Sequence, residues 1–214
     1  MPVDTVNLSP KLIQVSLVPP PQPLQEQQSL RLLFSDLSLP RQLPVFNSTP
    51  DGGAMLSNPA LQRQVVIGPA IRQVQMSVEL TAAKAVEEVV DILAKTQARF
   101  PVEQYLSYTI TIVSHVPVTG ETAMELFDRS VLRKPDALNE LGPGRAAAGI
   151  RVILGGAGQT FVTIEPLLGD PGKLFAQVVQ TVNGPLTFHD VPLRIDAMLR
   201  YHDNQVRQFV DRLL

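Results

Sequence analysis

The sequence predicts an α+β fold: two repeated β-β-α-β-α units, their antiparallel or mixed sheets covered by helices on one face, preceded by a proline-rich N-terminal arm. Three observations predict it. In IRQVQMSVEL and YLSYTITIV, apolar and polar residues alternate, as in strands with one buried face. Between them, TAAKAVEEVVDILAKTQARF places Val86, Val89, Val90 and Leu93 on one helical stripe. A similar pattern returns in the second half, where a shift of 86 residues sets Glu79 on Glu165 and Val78 on Ile164. The expected organisation is an arm over 1–63, a first unit over 64–135, a linker over 136–148 and a second unit over 149–214.

In the arm, Leu12 to Val18 alternates weakly and reads as a strand. It runs into Pro19 to Pro23, a stiff connector whose prolines hold extended geometry and donate no amide hydrogen. Ser29 to Leu39 is apolar enough for a buried strand or a short helix, and periodicity does not decide between them. Pro40 to Asn58 is rich in proline and turn residues and reads as a loop, or as an arm that wraps another part of the protein or another subunit.

In the first unit, Val65 to Ile67 is a short strand, and Gly68-Pro69 turns the chain into the strand that carries Val74, Met76, Val78 and Leu80 on one face. Thr81 caps the helix, the pairs Lys84/Glu88 and Asp91/Lys95 lie on its wet side, and Pro101 ends it. Leu106, Tyr108, Ile110 and Ile112 form one face of the next strand. Thr119 is the expected cap of a second helix, with Met124, Phe127 and Val131 inward and Pro135 as its stop. Gly142-Pro143-Gly144 marks the boundary between the halves.

In the second unit, GIRVIL and QTFVTIEPLL are strands joined by a turn at Gly155 to Gly158. Asp170 and Pro171 read as a helix start, with Leu174, Phe175, Val178 and Val182 as its stripe and Asn183-Gly184-Pro185 as its stop. Leu193, Ile195, Ala197 and Leu199 alternate as a strand. A last helix runs from Asn204 to Leu214, capped by Asp203, with Val206, Phe209, Val210 and Leu213 on one face.

Composition narrows the function classes. The formal net charge of -2 gives no basic excess for phosphates, so no nucleic-acid partner is expected. Cysteine is absent, which removes disulfides, thiolate nucleophiles and thiolate metal ligands. No signal-like N-terminus and no apolar run long enough for a membrane span are seen, so a cytoplasmic location and no membrane partner are expected. The polar strand faces (Gln73, Gln75, Ser77, Glu79; Ser107, Thr109, Thr111) hold no aromatic platform for bases.

The three histidines, His115, His189 and His202, lack the i, i+4 helical spacing that metal binding uses, so no metal site is expected. His189-Asp190 and His202-Asp203 are neighbours in sequence, and neighbours on a strand point opposite ways. The glycine run at Gly155 to Gly158 is followed by a strand rather than a helix, so it reads as a hairpin turn and not a phosphate cradle. No serine sits in a G-x-S-x-G elbow. No catalytic residue and no cofactor are therefore assigned. The seam candidates are Glu79 and Glu165, which the repeat makes equivalent and which would perturb each other if they met near its axis. The expected function is a non-enzymatic protein-binding or assembly subunit that pairs with itself or another protein. The alternative is a small-molecule-binding protein or enzyme with a pocket at the seam between the repeats.

Overall fold

The computed structural model describes residues 4, 8–23, 25–132, 148–156 and 158–214. The expected linker lies outside the described residues except for its last member, Ala148. The elements are β1 (Ser9–Val18), α1 (Gln27–Ser38), β2 (Val45–Ser48), β3 (Ala54–Asn58), β4 (Arg63–Gly68), β5 (Ile71–Ser77), α2 (Ala82–Arg99), β6 (Tyr105–Pro117), α3 (Ala123–Ser130), β7 (Ile150–Leu154), β8 (Gln159–Pro166), β9 (Lys173–Leu186), α4 (Val191–Tyr201) and α5 (Arg207–Leu213), with a π turn (His202–Val206) between the last two. The architecture is α+β, with all strands in one nine-stranded sheet of order β2-β3-β4-β5-β1-β6-β9-β8-β7. Every pairing is antiparallel.

Alternation explains the two faces of this sheet. Ile13, Val15 and Leu17 of β1, Val74 and Met76 of β5, Ile110 and Ile112 of β6, and Val178 of β9 are fully buried or nearly so. All but Ile13 join one cluster with Leu30, Leu33 and Leu37 of α1, Val89 and Ile92 of α2, Leu126 and Phe127 of α3, and Ile195 and Met198 of α4. Helices therefore cover one face, and a sheet with apolar residues only on that face requires this. The opposite face is polar across its centre: Gln75 pairs Gln64 and Gln14, and Gln14 pairs Thr111.

The expected β-β-α-β-α order holds over 64–135, as β4-β5-α2-β6-α3, and not over 149–214, which runs β7-β8-β9-α4-α5. Among the described residues the element order is β1-α1-β2-β3-β4-β5-α2 and then β6-α3-β7-β8-β9-α4, and on either side of the β1/β6 pair the sheet runs β3-β4-β5-β1 and β6-β9-β8-β7. β1, expected within a separate arm, is the central strand of the nine-stranded sheet, and the expected loop over 40–58 contains β2 and β3.

Two elements of the expected second unit are exchanged. Residues 173–186 are a strand, not a helix. Leu174 and Val178 satisfy helical and strand spacing equally, but Ala176 is buried between them, which only period two explains. Conversely, 191–201 is a helix, not a strand. The apparent alternation there used Leu193, which is 63% exposed, whereas the buried residues are Val191, Ile195 and Met198 at helical spacing.

Smaller differences have local causes. The stretch expected as a strand or short helix over 29–39 is helical up to Ser38, with Leu30, Leu33 and Leu37 inward. Thr122, rather than Thr119, caps α3 through a capping box with Glu125. A bulge in β6 between Tyr105 and Ser107 buries Tyr105 and turns Leu106 outward. The β7–β8 hairpin turn stands where expected, and Gly158 is required there because a Cβ would lie 2.3 Å from the carbonyl oxygen of Thr181. Thr81 caps α2 by accepting the Lys84 amide, as the sequence implies.

Candidate functional site

The two seam candidates do not meet. Glu79 follows β5 and pairs at 3.0 Å with Arg63 of β4, and Arg63 also pairs at 3.4 Å with Glu88 of α2. Arg63 Nη1 donates to the carbonyl of Arg41 at 3.1 Å, and Arg41 pairs with Asp91 at 2.6 Å. Partial burial works to raise the Asp91 carboxyl, but hydrogen bonds from Arg41 and Lys95 hold it below its ordinary range. Glu165 lies on β8, opposite Phe175. β1, β6 and β9 stand between β5 and β8, a separation of roughly 19 Å at the usual strand spacing. The Arg63 cluster closes on itself around about 30 Å³ of space, enough for a water molecule but not for a larger ligand. It ties β4 to the helices.

The structure brings together a second set that sequence reasoning missed. Ser114 on the covered face of β6 lies 2.8 Å from Nε2 of His202, and His202 Nδ1 lies 2.8 Å from Asp203 Oδ1. A carboxylate only accepts, so Nδ1 carries the proton and Nε2 accepts the Ser114 hydroxyl hydrogen. Burial pushes His202 below its ordinary pKa, against the opposing effect of Asp203. The order serine, histidine, aspartate is that of an activated nucleophile. Here Ser114 is 0% and His202 1% exposed, so no substrate reaches the hydroxyl in this conformation. The set joins the C-terminal helix to the sheet.

The π turn explains how His202 reaches inward. The helical stripe Val191, Ile195, Met198 continues through His202, Val206 and Val210, all buried. The later steps of four residues exceed the 3.6 of an α-turn, and the i→i+5 bond from the Arg207 amide to the His202 carbonyl takes up the excess. The motif was hidden because 88 residues separate Ser114 from His202, which the expected strand over 193–199 would have directed elsewhere.

A third feature lies at the sheet's end. β7 is an edge strand, IRVIL, with Ile153 60% and Leu154 42% exposed. Beside it, Val152, Leu154 and Val162 of the sheet and Tyr201, Gln205, Val206 and Phe209 of the C-terminal helix enclose a cleft of about 160 Å³. Partial burial there raises the Tyr201 phenol above its ordinary pKa. The charged side chain of β7, Arg151, turns back over the Phe161 ring of β8, 4.7 Å from its centroid. It does not guard the outer edge. The other edge strand, β2, is only four residues long (VFNS), and its Phe46 packs against Phe34 and Arg31. β2 therefore carries a usual protection of a sheet edge, and among the described residues nothing of the kind covers β7.

Among the described residues no group of histidine, aspartate or glutamate is arranged to hold a metal ion, and no helix is long and apolar enough to cross a membrane. The chain matches no protein-family model and no curated protein sequence, so its functional reading rests on the geometry above.

Proposed function

We propose that this protein is a non-enzymatic assembly subunit that pairs with a second copy of itself by strand addition at β7. The observation that carries the proposal is an apolar edge strand, bare among the described residues and continuous with an apolar cleft. The strand is self-complementary. Antiparallel pairing centred on Val152 sets Ile150 of one copy opposite Leu154 of the other, and all of these lie on the helix-covered face. A net charge of -2 opposes such pairing only weakly.

Sedimentation equilibrium tests this. The full chain is expected at twice its 23.4 kDa mass, and Ile153→Lys at the monomer mass. A monomeric full chain at about 100 μM, where contacts far weaker than a stable dimer interface already register, overturns the proposal.

A second reading, a site for a small apolar ligand, is supported by the cleft's size, about 160 Å³, close to that of cavities that take up one aromatic ring. Its place is the β7 cleft rather than a seam between Glu79 and Glu165. Ile153→Lys distinguishes the two readings, because it abolishes self-association and leaves a ligand bound on the covered face.

A further inference from the structure

We propose that His202 is a pH-operated latch on the C-terminal helix: acidification releases residues 202–213 from the sheet and opens the β7 cleft. The latch is a single buried contact at an irregular turn. His202 occupies the π turn, whose backbone bonding departs from that of α4 and α5 on either side. From that turn its ring reaches Ser114 at 2.8 Å. The same stretch supplies Gln205, Val206 and Phe209, which with Tyr201 at the end of α4 form the helical wall of the cleft. Movement of this turn therefore changes the cleft directly.

Protonation works against the contact in two ways. Nε2 becomes a donor, so the Ser114 oxygen must accept and the serine hydroxyl hydrogen loses its acceptor. A positive charge is also placed on a side chain 1% exposed. The surroundings offer little compensation. On the covered face Ser114 is flanked along β6 by Ile112 and Val116, and across the sheet by Pro10 of β1 and Ala176 of β9, all apolar. Asp203 and Arg207 are the charged groups that act on the ring. The Asp203 side chain is 53% exposed and its attraction is screened by water, while Arg207 repels. Burial accordingly favours neutral His202 in the folded chain. The folded pKa lies below the unfolded one, so the stability contributed is complete above the unfolded value of about 6.5 and is lost as pH falls from there through the folded value. His115 is also shifted down, chiefly by burial, but it lies on the opposite face of β6 and serves as the internal control.

The latch does not depend on strand addition at β7, and its test is run below the concentration at which the chain associates. Amide hydrogen exchange is compared at about pH 7.5 and about pH 5.5, either side of the ordinary histidine pKa, and corrected for intrinsic chemistry. In the wild type, exchange over 202–213 is expected to rise at the lower pH, by up to about tenfold, the limit for one histidine, while α2 changes little. His115→Gln retains this local response and His202→Gln abolishes it. An unchanged segment in the wild type, or an undiminished response in His202→Gln, overturns the latch. If His202→Gln fails to fold, the imidazole resonances of the wild type decide: titration of His202 together with the opening of 202–213 supports the latch, and titration without that opening overturns it.

Discussion

Arg72→Ala is expected to cost about 3 kcal/mol or more of stability, read as a lowered urea midpoint at unchanged slope. Arg72 is 1% exposed on the covered face of β5, opposite Leu17. Its Nη1 donates to the carbonyls of Gly68 and Ile71, and its guanidinium lies 5.7 Å from the Phe100 ring centroid. Burial lowers its pKa, and among the ion pairs described no carboxylate faces it. Alanine would leave a void beneath the sheet and carbonyl oxygens without their donor. Arg72→Met keeps most of the volume and removes the buried charge, so it is expected within about 1 kcal/mol of the wild type. The predicted order of stability is therefore arginine close to methionine, with alanine well below. A neutral alanine variant would show that the guanidinium contributes nothing through packing.

Arg63→Ala is expected to cost about 2–3 kcal/mol, because it strands charges that burial partly removes from water. Arg63 is 6% exposed and holds Glu88, whose side chain is 17% exposed, together with the more exposed Glu79 and the Arg41 carbonyl. Glu79→Gln removes only the solvent-exposed member and is expected to cost less than about 1 kcal/mol. Thermal unfolding of the two variants checks the ranking. Equal losses would mean that the cluster does not act through the buried guanidinium. The cluster also sets a structural role for Glu79, which sequence symmetry had marked as a functional candidate.

How much of this was legible depended on which residues carried the signal. Strands with one wet face were readable because Gln73, Gln75, Thr109 and Thr111 alternate with apolar partners. α2 was readable from its Thr81 cap and its apolar stripe. The Asp91/Lys95 pair forms as expected, at 3.1 Å, whereas Lys84 pairs with Glu87 because Glu88 turns inward to Arg63. β9 was misread because residues four apart in a strand also fall one helical turn apart, and α4 because an exposed leucine imitated alternation. Those two errors concealed the symmetry about β1 and β6, which depends on pairing across the chain. The site residues were least legible. Ser114 and His202 meet only after β6 and the C-terminal helix pack, and the bareness of β7 depends on its position at the end of the sheet rather than on its composition.

The most direct test of assembly through β7 uses the natural absence of cysteine. Val152→Cys introduces one thiol at the centre of the proposed antiparallel pair, where opposed residues have Cα atoms about 4.5–5.5 Å apart, within the range a disulfide spans. Under mild oxidation the variant is expected to cross-link rapidly and nearly completely into a covalent dimer, while Asn47→Cys on the opposite edge strand β2 remains monomeric. Cross-linking of Val152→Cys no faster than that of Asn47→Cys would contradict strand addition at β7.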